Sequence, residues 1–180
     1  MDRRAFVRAM LGGAASLALP PLASASAAST DPFYAGPRSL DLRRGGEHAT
    51  VCYWRDGQYL PEGYAKICWL LRDVRAEQYV QIDPMLLELL RWIQHYAGMH
   101  GYKGAIEVLS GYRTAETNTR AGGAANSQHL HGKAVDFVLP GVTPASLADV
   151  VKYLGVGGAG VYVRKGYVHA DTGPLRGWQG

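Results

Sequence analysis

The chain predicts an α+β domain, a mainly antiparallel sheet with helices packed on it. Three features carry that expectation. Apolar residues recur at helical spacing after two starts, Asp83-Pro84 and Thr143-Pro144. Ala134 to Leu139 alternates in strand fashion, and 157–163 with 166–171 reads as a hairpin around Arg164-Lys165. Along the chain the order is strand, helix, helix, strand, strand, helix, hairpin, which indicates an α+β domain. A length of 180 residues has room for one domain of ordinary size plus short extra segments.

At the N-terminus, Arg3-Arg4-Ala5-Phe6 stands ahead of a mild apolar run from Ala9 to Leu22. Ala23-Ser24-Ala25 and Ala25-Ser26-Ala27 supply small-x-small cleavage patterns. We read residues 1–27 as an export signal. Its Arg-Arg-x-Phe order resembles a twin-arginine signal, which carries proteins already folded, and an ordinary secretory signal is the alternative. Either way the expected location is outside the cytoplasm, in the periplasm. The apolar run is short and broken by Pro20-Pro21, so no membrane span is expected in the mature form. Residues 28–37 read as a Pro-rich linker and 38–180 as the domain. The formal charge of +4 falls to +2 once Arg3, Arg4, Arg8 and Asp2 are set aside, too little to indicate nucleic acid. Cys52 and Cys68 are an even pair, open to a disulfide or to two buried free thiols.

Within the domain, Ser39–Arg43 and His48–Trp54 read as strands around Gly45-Gly46, with Gln58-Tyr59-Leu60 as a short partner after the Asp56-Gly57 turn. The first helix is expected over Pro61–Asp73, with Ile67, Leu70, Leu71 and Val74 on one face. A second starts at the Asp83 N-cap and stops near Gly98; its stripe of Met85, Leu86, Leu89, Leu90, Ile93 and Ala97 is core. Ile106–Leu109 is a strand opening onto Ser110-Gly111-Tyr112-Arg113. Residues 114–128, rich in Thr, Asn, Gly and Ala, read as a long loop of the kind that carries function. Thr143 then caps a helix to Tyr153 that buries Leu147, Val150, Val151 and Leu154.

The chemistry gathers in two segments. His129 and Asp136 lie seven residues apart, with Gly132 between them to let the chain turn. Later, His169 and Asp171 share one face of a strand. Two neutral His and one Asp make a common ligand set for a catalytic Zn²⁺, with a fourth position left for water. The duller reading makes each His a satisfied surface residue and Asp136 half of an ion pair with Arg113. His131 reads as a rim residue.

At these residues the sequence is similar to the zinc peptidases of family M15, which have the hedgehog/DD-peptidase-like fold, and within them to a branch of exported murein endopeptidases. The matching text is Ser110-Gly111-Tyr112-Arg113-x-x-x-x-Asn118, Ser127-x-His129-x-x-Gly132-x-Ala134-x-Asp136 and Val168-His169-x-Asp171-Thr172-Gly173. The resemblance implies Zn²⁺ held by His129, Asp136 and His169, and cleavage of peptide bonds in peptidoglycan. It further implies that Arg113 contacts the scissile carbonyl and stabilises the oxyanion, and that Ser127 contacts substrate. Many members carry Glu three residues before the last zinc His, where this chain has Gly166; another branch has His two before, where it has Tyr167. The base is therefore not carried over. Asp171 is the candidate, either as base or as the partner that orients His169.

The expectation is a zinc peptidase, endopeptidase or carboxypeptidase, acting on the stem peptides of peptidoglycan, with an envelope adaptor protein as a possible partner. Two rivals stand beside it. One is a non-catalytic, metal-containing module that binds peptidoglycan or protein. The other is an iron oxygenase in which His169-x-Asp171 and another His form the facial triad.

Overall fold

In the computed structural model the described residues are 32–180. The expected export signal and the first part of the linker lie outside them. Helix α1 (Pro32–Ala35) precedes β1 (Arg38–Arg44), β2 (Glu47–Arg55) and β3 (Gln58–Tyr59). Helices α2 (Pro61–Leu70) and α3 (Pro84–Met99) follow, then β4 (Ile106–Ser110) and α4 (Ala115–Arg120). The remainder is β5 (Ala134–Val138), α5 (Pro144–Leu154), β6 (Gly158–Tyr162), β7 (Tyr167–Asp171) and β8 (Arg176–Gln179).

All the strands join one 8-stranded sheet in the order β3-β2-β1-β4-β5-β7-β6-β8. Every neighbouring pair is antiparallel except β1 with β4 and β6 with β8. The α+β fold with a mainly antiparallel sheet is therefore as expected. Helix α3 provides much of the core. Asp83 accepts the Met85 N–H at 2.9 Å, and Pro84 pre-sets the first turn. Leu86, Leu89, Leu90 and Ile93 are each 0% exposed. Each such burial contributes about 1.5–3 kcal/mol before entropy is counted.

Several elements differ from expectation, each for a local reason. Helix α2 ends at Leu70 rather than Asp73, and Val74 is exposed. The Asp73 carboxylate accepts the N–H groups of Arg75 and Ala76 (3.0 and 3.2 Å), offering the backbone a turn in place of another helical bond. The expected 114–128 loop contains α4, capped by the Thr114 hydroxyl accepting from Thr117 N–H at 3.3 Å. An Arg120–Glu116 pair at 2.7 Å runs along its exposed side. Part of the expected linker is structured: Phe33 packs on Trp92 with ring centroids 4.3 Å apart, under the Arg91 guanidinium. Strand β8 had no counterpart in the sequence reading. Cys52 and Cys68 are free thiols. No helix among the described residues is long and apolar enough to cross a membrane.

Candidate metal centre

Strand β5 lies between β4 and β7, where Asp136 has Ser110 and His169 as its cross-strand partners. The sheet's own pairing thus puts one carboxylate and one imidazole side by side. His129 arrives from a 3₁₀ turn, Gln128–His131. Ser127 caps that turn by accepting the His129 N–H at 3.4 Å, and Gly132 closes it at φ 64°. A Cβ at Gly132 would lie 2.8 Å from the Gln81 carbonyl oxygen, so this position needs glycine for its backbone and for its space.

His129, Asp136 and His169 converge, each under one-tenth exposed. His129 Nε2 lies 3.2 Å from His169 Nδ1 and 3.3 Å from Asp136 Oδ1, and His169 Nδ1 lies 2.9 Å from the same oxygen. The outer edge of each ring meets an acceptor. The Gly111 carbonyl can only accept, so His129 Nδ1 donates to it at 2.6 Å and Nε2 keeps its lone pair. Carboxylates flank both nitrogens of His169, Asp171 at 2.8 Å from Nε2 and Asp136 at 2.9 Å from Nδ1; with the ring's single proton on Nε2, the Nδ1 lone pair faces the centre. In that tautomer, with both rings neutral, three acceptors face one another with no donor between them. A tetrahedral ion with bonds of about 2.0–2.2 Å spaces its ligand atoms about 3.3–3.6 Å apart, slightly wider than the triangle found here. The donor set fits a metal ion.

Protons compete for the same place. Burial opposes ionisation of Asp136, but hydrogen bonds to His129 and His169 outweigh it and hold the carboxyl well below the ordinary range. Burial likewise pushes the His169 pKa down, while hydrogen bonds to Asp136 and Asp171 prevail and raise it.

Arg113 reaches the centre from the β4 side. Its Nη2 donates to Asp136 Oδ2 and its Nε to Ser110 Oγ at 2.7 Å. The ion pair considered from the sequence is thus present, and it leaves Asp136 Oδ1 for the centre. Asp73 anchors the segment by accepting the N–H and hydroxyl of Thr114, both at 2.9 Å. Ser127 is half-buried at the turn, and His131 is exposed.

Asp171 does not face the centre. It lies on the far nitrogen of His169, is 0% exposed, and accepts from Gly158, Gly173 and Arg176 as well. These bonds overcome its burial and keep its pKa well below the ordinary value. A facial triad built on Asp171 in place of Asp136 is therefore not what the fold assembles. Two groups escaped the sequence reading. Arg176 holds Asp171, and the Trp178 ring packs 5.1 Å from the His169 ring. Both stand on β8; the available signal was Gly158 and Gly160, alternate residues lacking side chains on one strand face. Tyr167 shares the His169 face and stacks on Tyr162 with centroids 4.5 Å apart. Burial and the Asp136 charge push its phenol up to about 12.

A family model described as "Peptidoglycan L,D-endopeptidase MepK", within the M15 peptidases, matches residues 34–178. The chain is 35% identical over 151 residues to the probable peptidoglycan L,D-endopeptidase MepK of Haemophilus influenzae, covering 80% of each chain. To the peptidoglycan L,D-endopeptidase MepK of Escherichia coli K12 it is 34% identical over 149 residues, 79% of this chain and 80% of the relative. The same identity and coverage hold for the relative of that name in Shigella flexneri. The matched span takes in all but the last residue of the sheet's strands and all three converging residues, and on that ground the chain belongs to peptidase family M15, in its murein endopeptidase branch.

Proposed function

We propose that this protein is an exported, periplasmic zinc peptidase that cleaves peptide cross-links of peptidoglycan, acting as an L,D-endopeptidase. The observation that carries the reading is the triangle of three acceptors, each locked from behind by its own hydrogen bond. The names of the relatives support the substrate and the bond. Two imidazole nitrogens and one carboxylate oxygen are ligands zinc favours, which supports the choice of ion.

His129 Nε2, Asp136 Oδ1 and His169 Nδ1 would hold the ion. When bound, zinc supplies a Lewis acid that makes water nucleophilic near neutral pH. Arg113 uses Nη2 and Nε to fix Asp136 and Ser110, and its fixed charge beside the centre would stabilise the oxyanion developing on the scissile carbonyl. Ser127 holds the turn that carries His129 and contacts the stem peptide at the lip of the site. Asp171 orients His169 rather than taking a proton: its oxygens are already filled by donors and shielded from solvent.

Incubating the purified protein with crosslinked muropeptides tests the proposal. Uncrosslinked products should accumulate, vanish with a chelator and return with stoichiometric zinc. Binding to sacculi with no product under those conditions would instead support a non-catalytic binding module. Products that persist in excess chelator would sink the metal reading.

A further inference from the structure

On β6, glycine occupies two alternate positions of the face that carries the centre. Gly160 is the cross-strand partner of His169, and Gly158 shares its face two residues earlier. On the opposite flank β8 runs parallel, with Arg176 beside Gly158 and Trp178 beside Gly160. The bare strand lets both β8 side chains lie across it. A Cβ at Gly158 would fall 2.5 Å from Asp171 Oδ2 and 2.6 Å from Arg176 Nη1. A Cβ at Gly160 would fall 2.5 Å from the Trp178 ring. Trp178 in turn donates Nε1 to the Tyr162 hydroxyl at 3.0 Å, which holds its ring against His169.

Arg176 grips both oxygens of Asp171, Nη1 on Oδ1 at 3.1 Å and Nη2 on Oδ2 at 2.5 Å. The N–H groups of Gly158 and Gly173 fill Oδ1 at 3.0 and 2.8 Å. Apart from Arg176, the donor on Oδ2 is the His169 ring itself, the group to be fixed; the two-pronged grip fixes the carboxylate plane from outside that ring. With that plane fixed, Oδ2 points at His169 Nε2, and the ring's opposite nitrogen points into the centre. We infer that Arg176 is a positioning residue for the metal centre: from β8, it holds the His169 lone pair on the ion through Asp171. The inference rests on the metal reading above.

The competing account makes Arg176 only a counter-charge for a buried carboxylate, and the two accounts separate in measurement. The Arg176 side chain is 41% exposed while Asp171 is fully buried, so replacing the guanidinium opens no cavity in the core. Zinc dissociation constants are measured by competition with a chromophoric chelator, at a temperature where circular dichroism shows each protein folded. R176Q should weaken zinc binding about 10–100-fold. R176K keeps the charge without the fork and should fall between the two. G158A, which crowds the same contact from β6, should resemble R176Q. An unchanged zinc affinity in folded R176Q overturns the inference, whatever happens to thermal stability. Should R176Q fail to fold, R176K decides: wild-type affinity overturns the inference and a loss supports it. A wild-type protein that binds no zinc overturns the metal reading and this inference with it, so the two failures are read from different proteins.

Discussion

Asp171 is one residue with two candidate jobs, and its surroundings choose between them. A base must reach the attacking water, whereas this carboxylate lies behind His169 with donors on both oxygens. Replacing it with Asn keeps the shape but puts an amide N–H where the surrounding groups also donate. Asp171→Asn should therefore weaken zinc binding about 10–100-fold. A variant that binds zinc as tightly as wild type yet loses kcat would restore Asp171 as the base. The sequence brought the residue to notice because His and Asp two apart on a strand share a face. It gave no means of telling which imidazole nitrogen the carboxylate meets, since that depends on the ring's rotation.

Among the elements, the 3₁₀ turn Gln128–His131 is sensitive to a single substitution, because its end depends on one left-handed residue. Gly132→Ala should cost more than about 1 kcal/mol: the left-handed backbone alone costs an L residue about that much. The new methyl also meets the Gln81 carbonyl. Urea unfolding measures the loss, and an unchanged midpoint would remove the turn from this account. The turn's glycine was legible in the sequence, as were β1, β2, α3, β5, α5 and the β6–β7 hairpin, all marked by apolar period or by caps. Helix α4 was not. It has one residue class on nearly every side and is defined by Thr114 and an ion pair, features that periodicity does not register. Strand β8 was hidden for a related reason: its Arg-Gly-Trp-Gln text has no apolar alternation, and its pairing with β6 depends on glycines elsewhere.

For the molecule as a whole, pH should act in two directions. The Asp73 carboxyl is opposed by burial but brought down from 3.8 to about 2 by Thr114, Thr117 and Ala76. Its folded pKa lies below the unfolded one, so its contribution is complete above about pH 4 and fades as pH falls toward 2. The depressed Asp136 and Asp171 act in the same direction. His169 acts oppositely. Its raised pKa stabilises the metal-free fold below the unfolded value, and that contribution is lost as pH rises through the folded value. Melting temperatures of chelator-treated protein should therefore decline on both flanks. Zinc should lift mainly the alkaline flank, because acid protonates the atoms that hold it. A chelated protein whose stability climbs steadily past neutral pH would contradict this.

The pairing of Asp136 with His169 across β5 and β7 carries one more consequence. Side chains alternate between faces, so a slip of one residue between those strands would turn one of the two ligands to the wrong side. Under the metal reading, ion binding would favour the aligned register of the central ladder, because a slipped chain would lack the three-ligand set.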